Sequence, residues 1–413
     1  MRLGRGDAAP RLALVGGRLV LPGRVLEGHA LLLRGGRIEA IARPGDLGDA
    51  VERVDVAGAL VTPGLVDIHT HGALGHSFLD DDDAAFAAIL DLQLRHGVTS
   101  LLATTSTAPL PAIVAALART RAWMAAGSER QGAGAQSGAR LLGAHVEGPY
   151  FAAAQAGAQD PANLRTPDDG SVDALLAYAD VIRLLSYAPE LPGAVALTRR
   201  LVELGIVAAA GHAQATDVDL DACRAWGLRH VIHMWSGQST TVRHGPWRHP
   251  GLLEASLASD DLSAEVIADG KHLPATLLRL AYRALGSDRL CIVSDATPGA
   301  GLPEGSRFSM GEMVYEVHDG VGMMLDRSAF AGSTTLLDGM LRVMTEEVGV
   351  PLVEAVKMAS LTPARVIGAA DRKGSLEPGK DADLALFESD LSHRGTVLDG
   401  RLVAGSLTRG ATP

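Results

Sequence analysis

Lysine is nearly missing from this chain. The 37 basic residues include only four lysines, Lys271, Lys357, Lys373 and Lys380, and none precedes residue 271. An Arg-favouring genome is the simplest origin. The consequence is still chemical, because no mechanism can call on a lysine in the first two thirds of the chain. Cysteine is scarce too. Cys223 and Cys291 are the only two, which excludes a disulfide framework and a Cys-based zinc site. Aromatic residues make up 4%, so the core volume must come from Ala, Val and Leu. No uncharged apolar run approaches the roughly 20 residues of a membrane span. The N-terminal apolar stretch is broken by Arg18 and shows no cleavage site, so no signal peptide is read there and a cytoplasmic protein is expected. Positive charge is in deficit as well. A net charge of -11 argues against general nucleic-acid binding, which needs a basic surface.

What is present points to a large folded protein. The 413 residues are 47% hydrophobic and 21% charged, enough for one large domain and a smaller one. Residues 11–60 and the stretch after 380 read as short strands with tight turns, the Gly-Gly pairs marking hairpins. A small β-sandwich domain from both termini, 1–62 with 365–413, is expected around a middle domain of 63–364. In that middle, apolar strand-like runs start at residues 65, 100, 140, 181, 206, 230, 264 and 290. Helix-like segments separate most of them, several ending in Gly as helix C-caps do. Eight such units predict an α/β fold, a (β/α)8 TIM-like barrel. A doubly wound open sheet is the runner-up. Residues 135–140 and the Gly-rich 297–335 read as loops or insertions.

The placement of polar residues carries the chemistry. The first strand ends in Asp67-Ile68-His69-Thr70-His71, and the third runs through His145 into Glu147. The fifth ends at His212, the sixth carries His233, and the eighth ends in Ser294-Asp295. In a barrel these strand ends converge on the face where active sites form. His69 and His71 point the same way because strand side chains alternate. A lone His233 in an apolar strand is more often a packed core histidine. Imidazoles and carboxylates at the same end of five strands instead form a site for a divalent ion. His29, His96, His318 and His393 lack this placement.

The segments VTPGLVDIHTHG, HVEGPY, AAAGHAQAT, VIHMWS, IADGKH, VSDATPGAG and GSLEPGKDADLALF occur in this order. Together they resemble the amidohydrolase superfamily, and HVEGP with AGH and IADG resembles its N-acetylglucosamine-6-phosphate deacetylase family. The resemblance implies a barrel with a β-sandwich domain, usually as a homodimer. It implies that Glu147, His212 and His233 bind a divalent metal. The ion is expected to be zinc, with Fe, Mn or Co as alternatives, and His69 and His71 match a pair that supports a second ion in some members. Asp295 matches the catalytic acid/base. Many amidohydrolases bridge two ions with a carboxylated lysine. With no lysine before 271, Glu147 must take that place.

The resemblance also implies a substrate, a small N-acetyl amino sugar carrying a 6-phosphate, with no nucleic acid or membrane as partner. Arg248 and His272 match phosphate- and substrate-contacting residues. Ala158, Gln159, Ser236, Gly237, Gln238, Ala331 and Gly332 fall on the family's substrate loops. The match breaks at two of them: Ser236 stands where Asn is usual, and Gln159 where a His is usual. These changes keep open an unphosphorylated N-acyl sugar or amine as substrate. A non-catalytic, structural amidohydrolase-like protein is the remote alternative, disfavoured by retention of Asp295 and the ligands.

Overall fold

The computed structural model describes residues 10–130 and 138–407, with the side chains of 127–130 also outside the described set. Residues 1–9, residues 131–137, which take in 135–137 of the expected 135–140 loop, and the last six residues of the C-terminal segment lie outside it.

Eight parallel strands form the centre: β1 (Leu65–Thr70), β2 (Val98–Thr105), β3 (Arg140–Glu147), β4 (Ile182–Tyr187), β5 (Val207–Ala210), β6 (His230–Val231), β7 (Ser263–Ile267) and β8 (Leu290–Val293). Each pairs with its neighbour in sequence, in order from 8 to 1. The fold is therefore the (β/α)8 barrel and not a doubly wound sheet, whose strand order would reverse. Helices flank the strands, among them α1 (Asp83–Arg95), α2 (Leu110–Arg130), α3 (Val172–Leu176), α4 (Ala194–Glu203), α5 (Asp217–Arg224), α6 (Leu252–Leu257) and α7 (Ala275–Arg289). The helix α1 starts where the Asp82 carboxylate accepts from the Ala84 N–H, and its inner face buries Phe86, Ile89 and Leu90.

The barrel closes between β1 and the residues just after β8. The Asp295 N–H donates to His69 O at 2.9 Å and the His71 N–H to Ala296 O at 2.7 Å. Asp67 fills the remaining gap. Its carboxylate accepts from the Ser294 N–H at 3.3 Å and from the Ser294 hydroxyl. Burial pushes the Asp67 carboxyl up to about 7, and the Ser294 hydrogen bonds offset only part of that.

Strands from the ends of the chain form two further sheets, and the second of them joins the two ends. One orders Arg37–Ala42, Ala30–Arg34, Arg11–Val15 and Glu52–Asp55. The other joins Arg401–Gly405, His393–Leu398 and Leu384–Phe387 to Leu60–Pro63, Arg18–Leu21 and Arg24–Leu26. Leu14, Leu31, Leu33 and Ile38 of the first pack on Leu19, Val61, Leu384 and Leu386 of the second.

Two sequence expectations need correction. Gly35-Gly36 does turn a hairpin, with both residues at positive φ. Gly16-Gly17 does not. The strands on either side of it enter different sheets, and the glycines let the chain pass closely, since a Cβ on Gly16 would fall 2.1 Å from Asp55 Oδ1. The Gly-rich 297–335 stretch is also more than a loop. It contains an antiparallel meander, β9 (Arg307–Met310), β10 (Met313–His318), β11 (Val321–Met324) and β12 (Phe330–Ser333). Its alternate residues Phe308, Met310, Tyr315, Val317 and Ala331 form a small core of their own.

Candidate metal centre and pocket

The ends of β1, β3, β5 and β8 and the turn after β6 bring six ionisable side chains together. All six, His69, His71, Glu147, His212, His233 and Asp295, are buried. His233 lies two residues past the short β6 rather than on it. Glu147 Oε1 is 3.0 Å from His233 Nε2, 3.2 Å from His212 Nε2 and 3.6 Å from His69 Nε2. Asp295 Oδ1 is 3.2 Å from His71 Nε2 and 3.6 Å from His69 Nε2. His212 and Asp295 hold positive φ, a conformation non-glycine residues adopt rarely and mostly where a site demands it.

Hydrogen bonds on the far side of two rings decide which nitrogen is free. His212 Nδ1 meets Gln155 O at 2.8 Å. His69 Nδ1 meets Glu265 Oε2 at 2.8 Å. Each Nδ1 then carries a proton, and each Nε2 faces the cluster, where it offers a lone pair to a cation once its own proton is displaced. Buried though it is, His69 Nε2 has no hydrogen-bond partner. Ligand atoms of His69, Glu147 and His233 lie within 4.8 Å of one another, and so do those of His69, His71 and Asp295. A tetrahedral ion with bonds of roughly 2.1 Å separates its ligands by about 3.4 Å. The spacings observed here fit that demand, and so does a donor set of imidazoles and carboxylates.

The charges agree. Burial would raise the Glu147 carboxyl, but hydrogen bonding with His212 and His233 and the charge of His69 hold it well below the usual carboxylate range. Burial would likewise raise Asp295, and the His71 hydrogen bond with the charges of His69, His71 and His233 holds it low. Burial would lower His69, yet Glu265 and Glu147 keep its pKa well above that of free imidazole. Burial and the charge of His69 push His145 well down, so it stands as a neutral ring 4.5 Å from His69.

A cavity of about 260 Å³ opens onto the cluster. Of the residues expected around a substrate, Ala158, Gln159, Ser236, Gly237, His272, Ala331 and Gly332 line it. Gly237 must be a glycine there. Its φ is positive, and a Cβ would come within 2.5 Å of His212 Nδ1. His272 is fixed by Asp269, whose Oδ2 lies 2.7 Å from Nδ1 and also accepts from the Ser333 hydroxyl at 2.8 Å. Its ring packs on Phe330 at 4.8 Å.

Two expected residues do not line this cavity. Gln238 is consumed by the turn after β6, donating to Ile232 O and accepting from the Trp235 N–H. Arg248 lies on an exposed hairpin, Val242–His249, and donates to Pro246 O within it. His29, His96, His318 and His393 take no part in the cluster.

Sequence reasoning missed Glu265 and His230. Glu265 Oε1 lies 3.1 Å from His230 Nε2, and Oε2 accepts from the His233 N–H as well as meeting His69. The signal was a lone carboxylate inside the apolar run of β7. Asp269 and Met310 were missed as support and pocket residues.

Comparison with known proteins agrees with this geometry. The amidohydrolase family model matches residues 60–403, and the chain belongs to that family. It is 34% identical to the N-acetylgalactosamine-6-phosphate deacetylase of Escherichia coli O157:H7 over 84% of this chain and 88% of that protein. It is 34% identical to the N-acetylglucosamine-6-phosphate deacetylase of Vibrio furnissii, over 84% and 83%. The crystal structure of N-acetylglucosamine-6-phosphate deacetylase from Pasteurella multocida superposes with a TM-score of 0.87 at 28% identity, covering 95% of this chain and 99% of that one.

Proposed function

We propose that this chain is a metal-dependent hydrolase that removes the acetyl group from a 6-phosphorylated N-acetyl amino sugar, giving acetate and the amino sugar phosphate. The observation that carries it is Glu147 Oε1 standing between His212 Nε2 and His233 Nε2, in one pocket with Asp295. The names of the relatives support the substrate class, and they divide over its sugar, galactosamine in one and glucosamine in the other.

Glu147, His212 and His233 would hold the principal ion, with His69 and His71 available to a second. We take zinc as the ion, and the same donors accept Fe, Mn or Co. A divalent ion at this position lowers the pKa of a water towards roughly 7 and polarises an amide carbonyl. The chain's own residues do the rest. Asp295, held low and therefore ionised, accepts the proton of the attacking water as the C–O bond forms. It then passes that proton to the nitrogen as the C–N bond breaks, because an amine cannot leave as an anion. His272 lies at the cavity wall with its Nδ1 tied to Asp269, which leaves Nε2 for a phosphate or hydroxyl of the substrate.

One observation favours the second reading, an unphosphorylated N-acyl sugar or amine. Among the described residues, no Arg or Lys lines the cavity. The phosphate reading therefore draws its arginine from a second copy of the chain. Its support is the hairpin itself, where Trp247 is 72% exposed next to Arg248. We accordingly propose a homodimer, a cytoplasmic enzyme, a catalytic unit of about 63–364 and a β domain of 1–62 with 365–413. The deciding experiment compares turnover of N-acetylglucosamine 6-phosphate, its galactosamine isomer, both unphosphorylated sugars and N-acetyl amino acids. Equal turnover of the unphosphorylated sugars overturns the phosphate reading.

A further inference from the structure

The residue at the family's altered position, Gln159, is engaged at both ends of its amide. Its Oε1 accepts from the Thr107 N–H at 2.7 Å, and its Nε2 donates to Glu147 Oε2 at 2.6 Å. The assignment of the two ends is not free. A backbone N–H can only donate, so the atom facing Thr107 must be the oxygen, and the nitrogen must face Glu147. Gln159 is buried at the cavity wall, which limits competition from solvent for either bond.

The two oxygens of Glu147 are therefore in different surroundings. Oε1 faces the Nε2 atoms of His233, His212 and His69. Oε2 receives the Gln159 N–H, with His71 Nε2 next nearest at 3.4 Å. Holding one oxygen in this way opposes rotation of the carboxylate about its last bond. The carboxylate presents one oxygen to the imidazole cluster, and the hydrogen bond on the other is to a neutral group, so the negative charge is kept for a cation.

The segment that carries Gln159 is itself anchored. His212 Nδ1 bonds to Gln155 O. The Tyr315 hydroxyl, from β10 of the meander, donates to Ala158 O at 2.7 Å. The Gln159 N–H donates to Ala156 O. Within five residues, 155–159, one stretch of chain thus fixes the orientation of both Glu147 and His212, and the meander holds that stretch in place.

We propose that Gln159 is a positioning residue of the metal centre, which makes Glu147 a one-oxygen ligand by holding its other oxygen, rather than a contact to the substrate's acyl group. The inference rests on the metal-centre reading above. Without the amide, Oε2 is left unsatisfied in a buried place, and the carboxylate is free to turn and chelate with both oxygens. Outer partners of metal ligands typically change metal affinity by roughly 10–100-fold.

The test uses the full-length protein with Gln159→Leu and Gln159→Met, two side chains of similar length with no donor. Zinc affinity is measured by competition with a chromophoric chelator, and the visible spectrum of the cobalt-substituted protein is recorded. Expected are an affinity lower by roughly 10–100-fold and weaker, shifted cobalt bands as the coordination number rises, with circular dichroism of the apo forms unchanged. Zinc affinity within twofold of the unaltered protein, an unchanged cobalt spectrum and a raised KM would overturn the proposal and return Gln159 to the substrate. Should one variant fail to fold, the other carries the measurement. Glu147→Gln separates the two levels of inference. If it loses zinc while both Gln159 variants keep it, only the role of Gln159 falls. If it keeps zinc, the metal-centre reading falls too.

Discussion

Glu265 Oε2 lies 2.8 Å from His69 Nδ1, the ring nitrogen that does not face Glu147 and Asp295. One carboxylate on β7 thereby sets the tautomer of an imidazole on β1, and through His230 and the His233 N–H it also ties down the end of β6. Opposed charge on His69 and His230 holds Glu265 well below the usual carboxylate range against the effect of burial. Glu265→Gln keeps the shape and removes the charge. Zinc affinity is expected to fall by roughly 10–100-fold with unchanged circular dichroism. Chelator competition that finds equal affinities would show that Glu265 does not support the centre.

Asp295→Asn separates binding from chemistry. Asparagine is nearly isosteric but a poor base. The variant is expected to take up metal in the normal amount and to lose roughly 10²–10⁴-fold in kcat. Metal analysis together with turnover of N-acetylglucosamine 6-phosphate checks both halves. Near-normal turnover of the metal-loaded variant would remove Asp295 from the reaction.

The effect of pH on metal-free protein has a definite sign. His69 is raised in the fold, so the stability it contributes is complete below its ordinary value of 6.5 and is lost as pH rises through the folded value. Asp67 is raised to about 7 from 3.8, so the fold resists its ionisation and loses stability as pH climbs through that window. Glu147 and Glu265 are depressed, and the stability they contribute is lost only as pH falls well below 4.5. An ion held by His69 must displace the His69 proton. Metal-free protein should therefore melt lower at pH 8 than at pH 6, and the rise in Tm on adding zinc should be larger at pH 8. Calorimetry at the two values decides it, and a larger rise at pH 6 contradicts the assignment.

Arg248→Ala tests the hairpin. If its guanidinium serves a neighbouring copy's pocket, the variant should raise KM for the phosphorylated sugar by tenfold or more while kcat and zinc content stay near normal. A tenfold change corresponds to about 1.4 kcal/mol. Light scattering during gel filtration should give a dimer mass for both proteins. A monomer mass with unchanged KM would leave the arginine without a role in binding.

Much of this was legible in the residues, and for identifiable reasons. Buried parallel strands read as continuous apolar runs, and a polar residue at the end of such a run stands out. That is how His69, Glu147, His212 and Asp295 could be picked out together. The misses have reasons too. Glu265 sits inside its strand rather than at the end, so it reads as an interruption. Only the fold reveals that its partners come from strands 1 and 6. Gly16-Gly17 and Gly35-Gly36 look alike in sequence, and the packing of Asp55 and Val56 beside the first pair separates them. The meander of 307–333 alternates too briefly, among too many Gly and charged residues, to announce four strands. Gln159 reads as a substrate contact by position, and only its two hydrogen bonds turn it toward Glu147.

The seam between β1 and the residues after β8 also bears on how the protein is made. Asp67 and Ser294, the two sides of that seam, are 227 positions apart. A nascent chain that has reached the end of β7 already contains all four imidazoles of the cluster and Glu147, but not Asp295. Such a chain can gather ligands and cannot yet carry the proposed base. Competence for hydrolysis therefore cannot precede the last strand of the barrel, where ring closure and Asp295 come into place together.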